Sequence, residues 1–328
     1  MNEAIAAFPV STLDALREGT LMAVLPGIEV EHRPSAPPKS RTRWIASEEA
    51  SGLALISPTL LYALALLFLP VLIVIAYSFW TQDYLTIDRT FTLQNYRTAL
   101  GEPIYQDLLL RSLVISLVVS VVTVTVSYPI AWFISFHGGV HKNLWLFLIT
   151  VPCWTSYLLR VMSWKVILGY GGVMNTGLLS IGLIDKPLTT LLYNSNAVVI
   201  TLVHSWAAFA ILPIYVSLEK VDRSLIEAAH DLGDNKLMSF LRVTLPLSLP
   251  GVISAFLIVM IPTVGDYVTP KLVGGKDGVM IATAIQAQFG KGANWPLGAA
   301  LSVTTMVVVS AMAGLVVLGL KLLVRVSK

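Results

Sequence analysis

From Ser51 to Gln82 the chain carries no Asp, Glu, Lys, Arg or His, and the same holds from Pro296 to Leu320. A hydrocarbon layer about 30 Å thick takes about 20 apolar residues to cross as a helix, because only a helix satisfies every backbone group without water. Four further stretches pass that test: Ser112 to Phe136, a segment from Asn143 to beyond Arg160, Ala197 to Leu218, and Leu249 to Val268. The expected fold is therefore an all-α membrane protein with six transmembrane helices. Residues 51–328 form the membrane domain, and the polar residues 1–50, with Pro34, Pro37 and Pro38, form a cytoplasmic tail and not a cleaved signal.

Composition agrees. Hydrophobic residues make up 55% of the chain and charged ones 12%, with a mean hydropathy of +0.76, which a soluble domain of this size would not carry. Membrane lipid is thus a partner. The net charge of +3 is spread without a basic block, which excludes nucleic acid as one. Cys153 is the single cysteine, so the chain has no internal disulfide, and it is assigned to packing. The scattered histidines offer no metal site, since His137 and His141 are separated by Gly138-Gly139. Nucleotide binding is not expected either: Gly274-Gly275-Lys276-Asp277 lacks the hydroxyl residue of a phosphate-binding loop.

Orientation follows from Lys and Arg near the span ends. Lys39, Arg41, Arg43, Lys142, Lys220, Arg223, Lys236, Arg242, Lys321, Arg325 and Lys328 outnumber Arg89, Arg97, Arg111, Lys186, Lys271, Lys276 and Lys291 on the other face. Both termini are expected in the cytoplasm. Trp44, Trp80, Trp132, Trp145, Trp164 and Trp295 fall near span ends, where amphipathic rings suit the headgroup layer. Pro70, Pro129, Pro152, Pro213 and Pro262 lie inside spans, and kinks around a cavity compete there with the ordinary frequency of proline in membrane helices. Val279 to Phe289, too short to span, reads as a surface or re-entrant helix.

The polar segment 219–246 is far longer than two antiparallel helices need. Ser224 and Glu227 are spaced as a capping box, which predicts a helix from Ser224 with Leu225, Ala228, Ala229 and Leu232 along one stripe. Gly233 breaks it, Asp234 caps a second short helix with Leu237, Phe240, Leu241 and Leu245 as its stripe, and Pro246 stops that helix. Such a knob is costly in water unless a partner covers it.

The run Glu227-Ala228-Ala229, then Gly233, then Val243-Thr244-Leu245-Pro246 resembles the EAA loop of ABC importer permeases of the binding-protein-dependent type I class. Within that class the chain is similar to the spermidine/putrescine-type permeases over about residues 55–325. The passages that carry the likeness are Val151 to Arg160, Pro187-Leu188 with Leu192-Tyr193-Asn194, Gly265 to Pro270, and Asn294-Trp295-Pro296. Cys153 departs from a usual aromatic and Asp266 from a usual glutamate.

The resemblance implies a type I importer permease with a helix-turn-helix coupling loop, a transport subunit and not an enzyme, in a bacterial inner membrane. Its implied partners are two ATPase subunits, a second permease chain and an extracytoplasmic solute-binding protein. The cofactors ATP and Mg would sit on the ATPase subunits, not on this chain. The implied cargo is a polyamine or related cationic compound; an opine, iron or phosphonate permease is the alternative, and an ion-coupled secondary transporter a further one. In the family the two alanines are small because the partner packs on them; Glu227 is either a contact to it or a capping residue.

Ionisable groups at membrane depth face a cavity or a partner charge. Asp266 is either a carboxylate for cationic cargo, with Trp154, Tyr157 and Tyr267 available for cation–π contacts, or the partner of Arg160 in an ion pair. Lys165 is expected to snorkel. His204, Trp206 and Phe209 are assigned to packing.

Overall fold

The computed structural model describes residues 42–83, 86–290 and 294–326. The tail reading therefore falls largely outside the described residues. So do Lys39, Arg41, Lys291 and Lys328, and the side chains of Arg43, Trp44 and Arg325. Two compact units divide at Ala65/Leu66. In the first, the described residues are helical, the beginning of α1 (Thr42–Ser78). From Leu55 to Ile73 α1 exposes apolar side chains such as Leu61 and Phe68, as a lipid-facing helix should.

The second unit is helical apart from a two-stranded antiparallel hairpin, β1 (Thr81–Asp83) and β2 (Thr86–Asp88), with Gln82 opposite Ile87. Its long helices are α3 (Pro103–His137), α7 (Ser195–Glu219), α10 (Leu245–Val264) and α12 (Trp295–Val326), preceded or separated by shorter pieces. The shorter helices are α2 (Gln94–Gly101), α4 (Lys142–Thr150), α5 (Tyr157–Leu168), α6 (Val173–Ser180), α8 (Arg223–Asp231), α9 (Lys236–Ser239) and α11 (Ile281–Phe289). Among the described residues five helices are long and apolar enough to cross a membrane. The bent pair Gly139–Trp154 and Tyr157–Ser180 brings the number to six if it is counted as one broken span.

That bent pair corrects the expectation of one helix from Asn143 past Arg160. The chain turns by 89° there. Pro152 lacks an amide proton, Val151–Trp154 tightens into a 3-10 turn, and Thr155 and Ser156 are extended before α5 begins.

The core lies where α3, α7 and α10 pack together. Val119, Ala131, Leu202, Ile211, Ile214 and Val259 are buried in it. Small residues permit the approach: Ser112, Ser116, Ser120, Thr123 and Ser127 run down one buried side of α3. Ser112, Ser116 and Ser120 return their hydroxyls to carbonyls of the preceding turn, so the stripe needs no outside partner for those hydrogens. Across the seam Ser127 donates to the Ala207 carbonyl at 3.3 Å, and the Tyr128 and Ser248 hydroxyls meet at 2.8 Å. At Gly251 a Cβ would stand 2.5 Å from both the Pro213 carbonyl oxygen and Ser217 Cβ, so glycine sets how closely α10 crosses α7.

A second cluster joins α2, α11 and α12 through Ala99, Ile281, Leu297 and Leu301, next to Val264. The helix expected at Val279 to Phe289 is α11, and its Ile281 amide donates to Ser112 Oγ at 2.7 Å.

Candidate functional site

Two regions hold the residues that the sequence singled out. The first is a cavity of about 410 Å³ between the break in the bent span, α7 and the end of α10. Arg160 lies in its wall, and its partners are backbone carbonyls. One terminal nitrogen donates to Ser205 O at 3.0 Å, the other to Pro152 O at 2.9 Å and Thr155 O at 3.3 Å. These last two oxygens belong to the break, where Pro152 O also accepts from the Thr155 amide at 3.3 Å and the Thr155 hydroxyl at 2.7 Å. Arg160 thus closes the turn that Pro152 opens, and the ion pair with Asp266 does not form.

Asp266 is held otherwise. Its Oδ2 accepts from the Tyr157 hydroxyl at 2.5 Å, and its Oδ1 accepts from the amides of Val268 at 2.9 Å and Thr269 at 3.4 Å. The carboxylate caps the turn that follows α10 and ties it to α5. Tyr157, Arg160 and Asp266 line the cavity together, joined by Cys153, Trp206 and Phe209. Trp154 and Tyr267 are not in its lining; Trp154 is 74% exposed, with its ring edge-on to Phe147.

Cys153, Trp206 and Phe209, assigned to packing, stand in the wall instead. Heptad-like spacing is the signal that could have found the two aromatics. Trp206, Phe209, Pro213, Val216 and Lys220 follow at steps of three and four along α7. The last three line a second cavity, of about 560 Å³, with Leu247 and Gly251 of α10. Both cavities therefore open on one face of α7. Ser205 Oγ and Trp206 Nε1 are buried without a hydrogen-bond partner in the chain, so the first cavity's wall retains polar groups. Lys165 lies 5.9 Å from the Tyr193 ring centroid, and His204 accepts from Trp164 Nε1 at 3.1 Å.

The second region is segment 219–246. α8 starts one residue earlier than the capping box required. Asp222 is the N-cap, its Oδ1 accepting from the Ser224 amide at 3.0 Å, and that bond holds the exposed carboxyl below its usual range. Glu227 is exposed, well inside the helix. α8 ends in a Schellman turn: Gly233, at φ +92°, donates to His230 O at 2.9 Å, and the Asp234 amide donates to Ala229 O at 3.0 Å.

Asn235, not Asp234, caps α9, accepting from the Met238 amide at 2.8 Å; Asp234 pairs with Arg242 at 2.9 Å. Pro246 does not end the second helix. A π turn over Phe240–Thr244 carries α9 into α10, and Pro246 lies just beyond this widened turn, inside the continuous helix.

Of the expected stripes, Leu225, Ala228, Leu232, Leu237 and Leu241 are exposed. Ala229 is 7% exposed and packs within the chain, whereas Ala228 is exposed. Phe240 turns inward, edge-on to Tyr128 at 5.6 Å, and Leu245 is half-buried.

The chain thus combines membrane-length helices, one broken helix pair and two cavities along one face of α7. Residues 108–326 match the family described as binding-protein-dependent transport system inner membrane component. The chain is 39% identical over 246 residues to the spermidine/putrescine transport system permease protein PotB of Escherichia coli (strain K12), covering 75% of this chain and 89% of that one. In fold it is similar to a chain of a bacterial ABC transporter involved in the import of the acidic polysaccharide alginate. There the TM-score is 0.62 at 16% identity, over 88% of this chain and 100% of that one. The bacterial alginate ABC transporter in complex with alginate pentasaccharide-bound periplasmic protein gives a TM-score of 0.55 at 16% identity, over 83% and 94%. The chain belongs to the family of binding-protein-dependent transport system inner membrane components, the permease subunits of ABC importers. It is a multi-pass inner membrane transport subunit and not an enzyme.

Proposed function

We propose that this chain lines the path of a polyamine, or a related cationic solute, through an ATP-driven importer, and that segment 219–246 is where the ATPase docks. The observation that carries the docking reading is the set of exposed leucines, Leu225 and Leu232 on α8 and its cap, Leu237 on α9 and Leu241 in the π turn after it. A cluster of exposed apolar side chains on a loop that leaves the membrane is costly unless a protein covers it.

Cargo class draws support from the name of the PotB relative and from the chemistry of the first cavity. Asp266 supplies a carboxylate, while Trp206, Phe209 and Tyr157 supply aromatic faces suited to an ammonium group. The terminal nitrogens of Arg160 donate to carbonyls rather than to Asp266.

In this reading both termini lie in the cytoplasm, and two ATPase subunits hold ATP and Mg. A second, non-identical permease chain completes the passage, and a solute-binding protein delivers cargo to the face that carries Asp266. ATP's preference for the closed ATPase dimer drives the change of state.

The test is purification of the tagged chain with its genomic neighbours co-expressed, followed by mass spectrometry and an ATPase assay. Glu227→Arg and Gly233→Asp are compared with the parent. Loss of the ATPase subunit from the variants is the expected result. A parent chain that emerges alone under mild detergent counts against the reading.

A further inference from the structure

Three helices meet at one carboxylate, and a fourth reaches the residue beside it. Glu219, the last residue of α7, accepts at Oε1 from Ser135 Oγ of α3 at 3.0 Å and from Lys142 Nζ, at the start of α4, at 2.7 Å. Its Oε2 accepts from the Tyr215 hydroxyl at 3.2 Å. The fourth helix, α8, joins through Arg223, its first residue, which donates to the Ser135 carbonyl at 3.4 Å and lies 5.7 Å from the Phe136 ring centroid.

Helix electrostatics make this pair unusual. An acidic residue is disfavoured at a helix C-terminus and a cation at an N-terminus, because the macrodipole places like charge there. Glu219 and Lys142 each occupy the unfavourable end of their own helix. Each is compensated by the other. A single partly exposed ion pair contributes only about 0–1 kcal/mol. Stability alone is a weak reason for two misplaced charges to face each other.

The far end of α4 gives the pair a consequence. α4 runs from Lys142 to Thr150 and passes straight into the turn that holds Cys153 and Thr155 in the wall of the first cavity. At about 1.5 Å per residue, this is one short rigid strut from Glu219 to the cavity.

We propose that Glu219 is a positioning residue that transmits displacement of α8 through Lys142 and α4 to the cavity wall at Cys153. The proposal rests on the reading of segment 219–246 as the ATPase dock. It adds a route to the cavity separate from the continuous α9–α10 helix.

Cys153 provides the readout, since it is the single cysteine of the chain and half-buried at the end of the strut. The whole transporter, with its ATPase subunits, is treated with a maleimide with and without ATP and vanadate, and labelling of the Cys153 peptide is timed by mass spectrometry. In the parent, nucleotide should change the rate by about five-fold or more, the lower end of typical site-to-site coupling. Glu219→Lys and Lys142→Glu should each abolish the change while the ATPase subunit stays bound. The double exchange, which also places both charges at favourable helix ends, should restore it. Glu219→Gln, which keeps the hydrogen bonds to Ser135 and Tyr215 but not the charge, should fall between. A nucleotide response retained in both single variants, a double exchange no better than either, or a parent rate indifferent to ATP would each overturn the proposal. A parent complex without any ATPase subunit instead overturns the docking reading on which it stands.

Discussion

The Tyr157 hydroxyl donates to Asp266 Oδ2 at 2.5 Å and stands 2.7 Å from Thr269 Oγ1, so one phenol fastens the start of α5 to the turn after α10. Hydrogen bonds to charged groups contribute about 1.5–3 kcal/mol. A double-mutant cycle of Tyr157→Phe and Asp266→Asn, read by thermal unfolding in detergent, is expected to show coupling of about that size. Additive losses would mean that the two groups do not act together.

Arg160 bridges two carbonyls of the break in the bent span and one of α7. A lysine presents a point charge and cannot fork across Pro152, Thr155 and Ser205. Arg160→Lys is expected to destabilise the chain by about 2 kcal/mol or more. The exchange Arg160→Asp with Asp266→Arg should rescue nothing, whereas a true ion pair would be recovered by it. Denaturation midpoints of these variants decide the matter.

Gly251 governs the crossing of α7 and α10. A methyl group at this position meets the Pro213 carbonyl and Ser217 at once. Gly251→Ala should cost about 1–3 kcal/mol by overpacking, and Gly251→Val more. An equally stable Ala variant would show that the helices part without penalty.

Gly233 adopts a backbone conformation that an L side chain enters at a cost of about 1–2 kcal/mol. Leu232 beside it is 88% exposed. Leu232→Asp is thus expected to leave the unfolding temperature unchanged while removing the ATPase subunit from the purified complex. Gly233→Ala should lower both stability and retention. If Leu232→Asp retains the subunit at the parent's level, Leu232 is no part of the dock.

The spans were readable because each stretch of charge-free sequence is as long as a bilayer is thick. The 89° break was not, since apolar runs look alike on either side of it; Pro152 marked the place but not the angle. The passages that carry the family likeness have a common structural meaning. Asn194 caps α7 through the Ala197 amide, Asp266 caps the turn after α10, and Asn294 caps α12 through the Leu297 amide. Pro152 and Arg160 make and close the break. Residues that punctuate helices identify a fold well and a cargo poorly, because their polar atoms are already engaged by the backbone.

In segment 219–246 the sequence showed two helices and the glycine between them. The caps were misplaced by one or two residues, because Asp222 and Ser224, like Asp234 and Asn235, are both competent and only the backbone turn selects between them. Trp206 and Phe209 were missed as cavity residues for a different reason. A stripe of large apolar side chains looks the same whether it faces a neighbouring helix or an opening.

The π turn at Phe240–Thr244 makes Lys236–Val264 one shaft of 29 residues, about 43 Å long at ordinary helical rise. Whatever grips Leu237 holds the handle of an axle whose other tip sits two residues from Asp266. The widened turn offsets the side chains of α10 from those of α9 without breaking the shaft, ahead of Pro250 and Pro262 further along it.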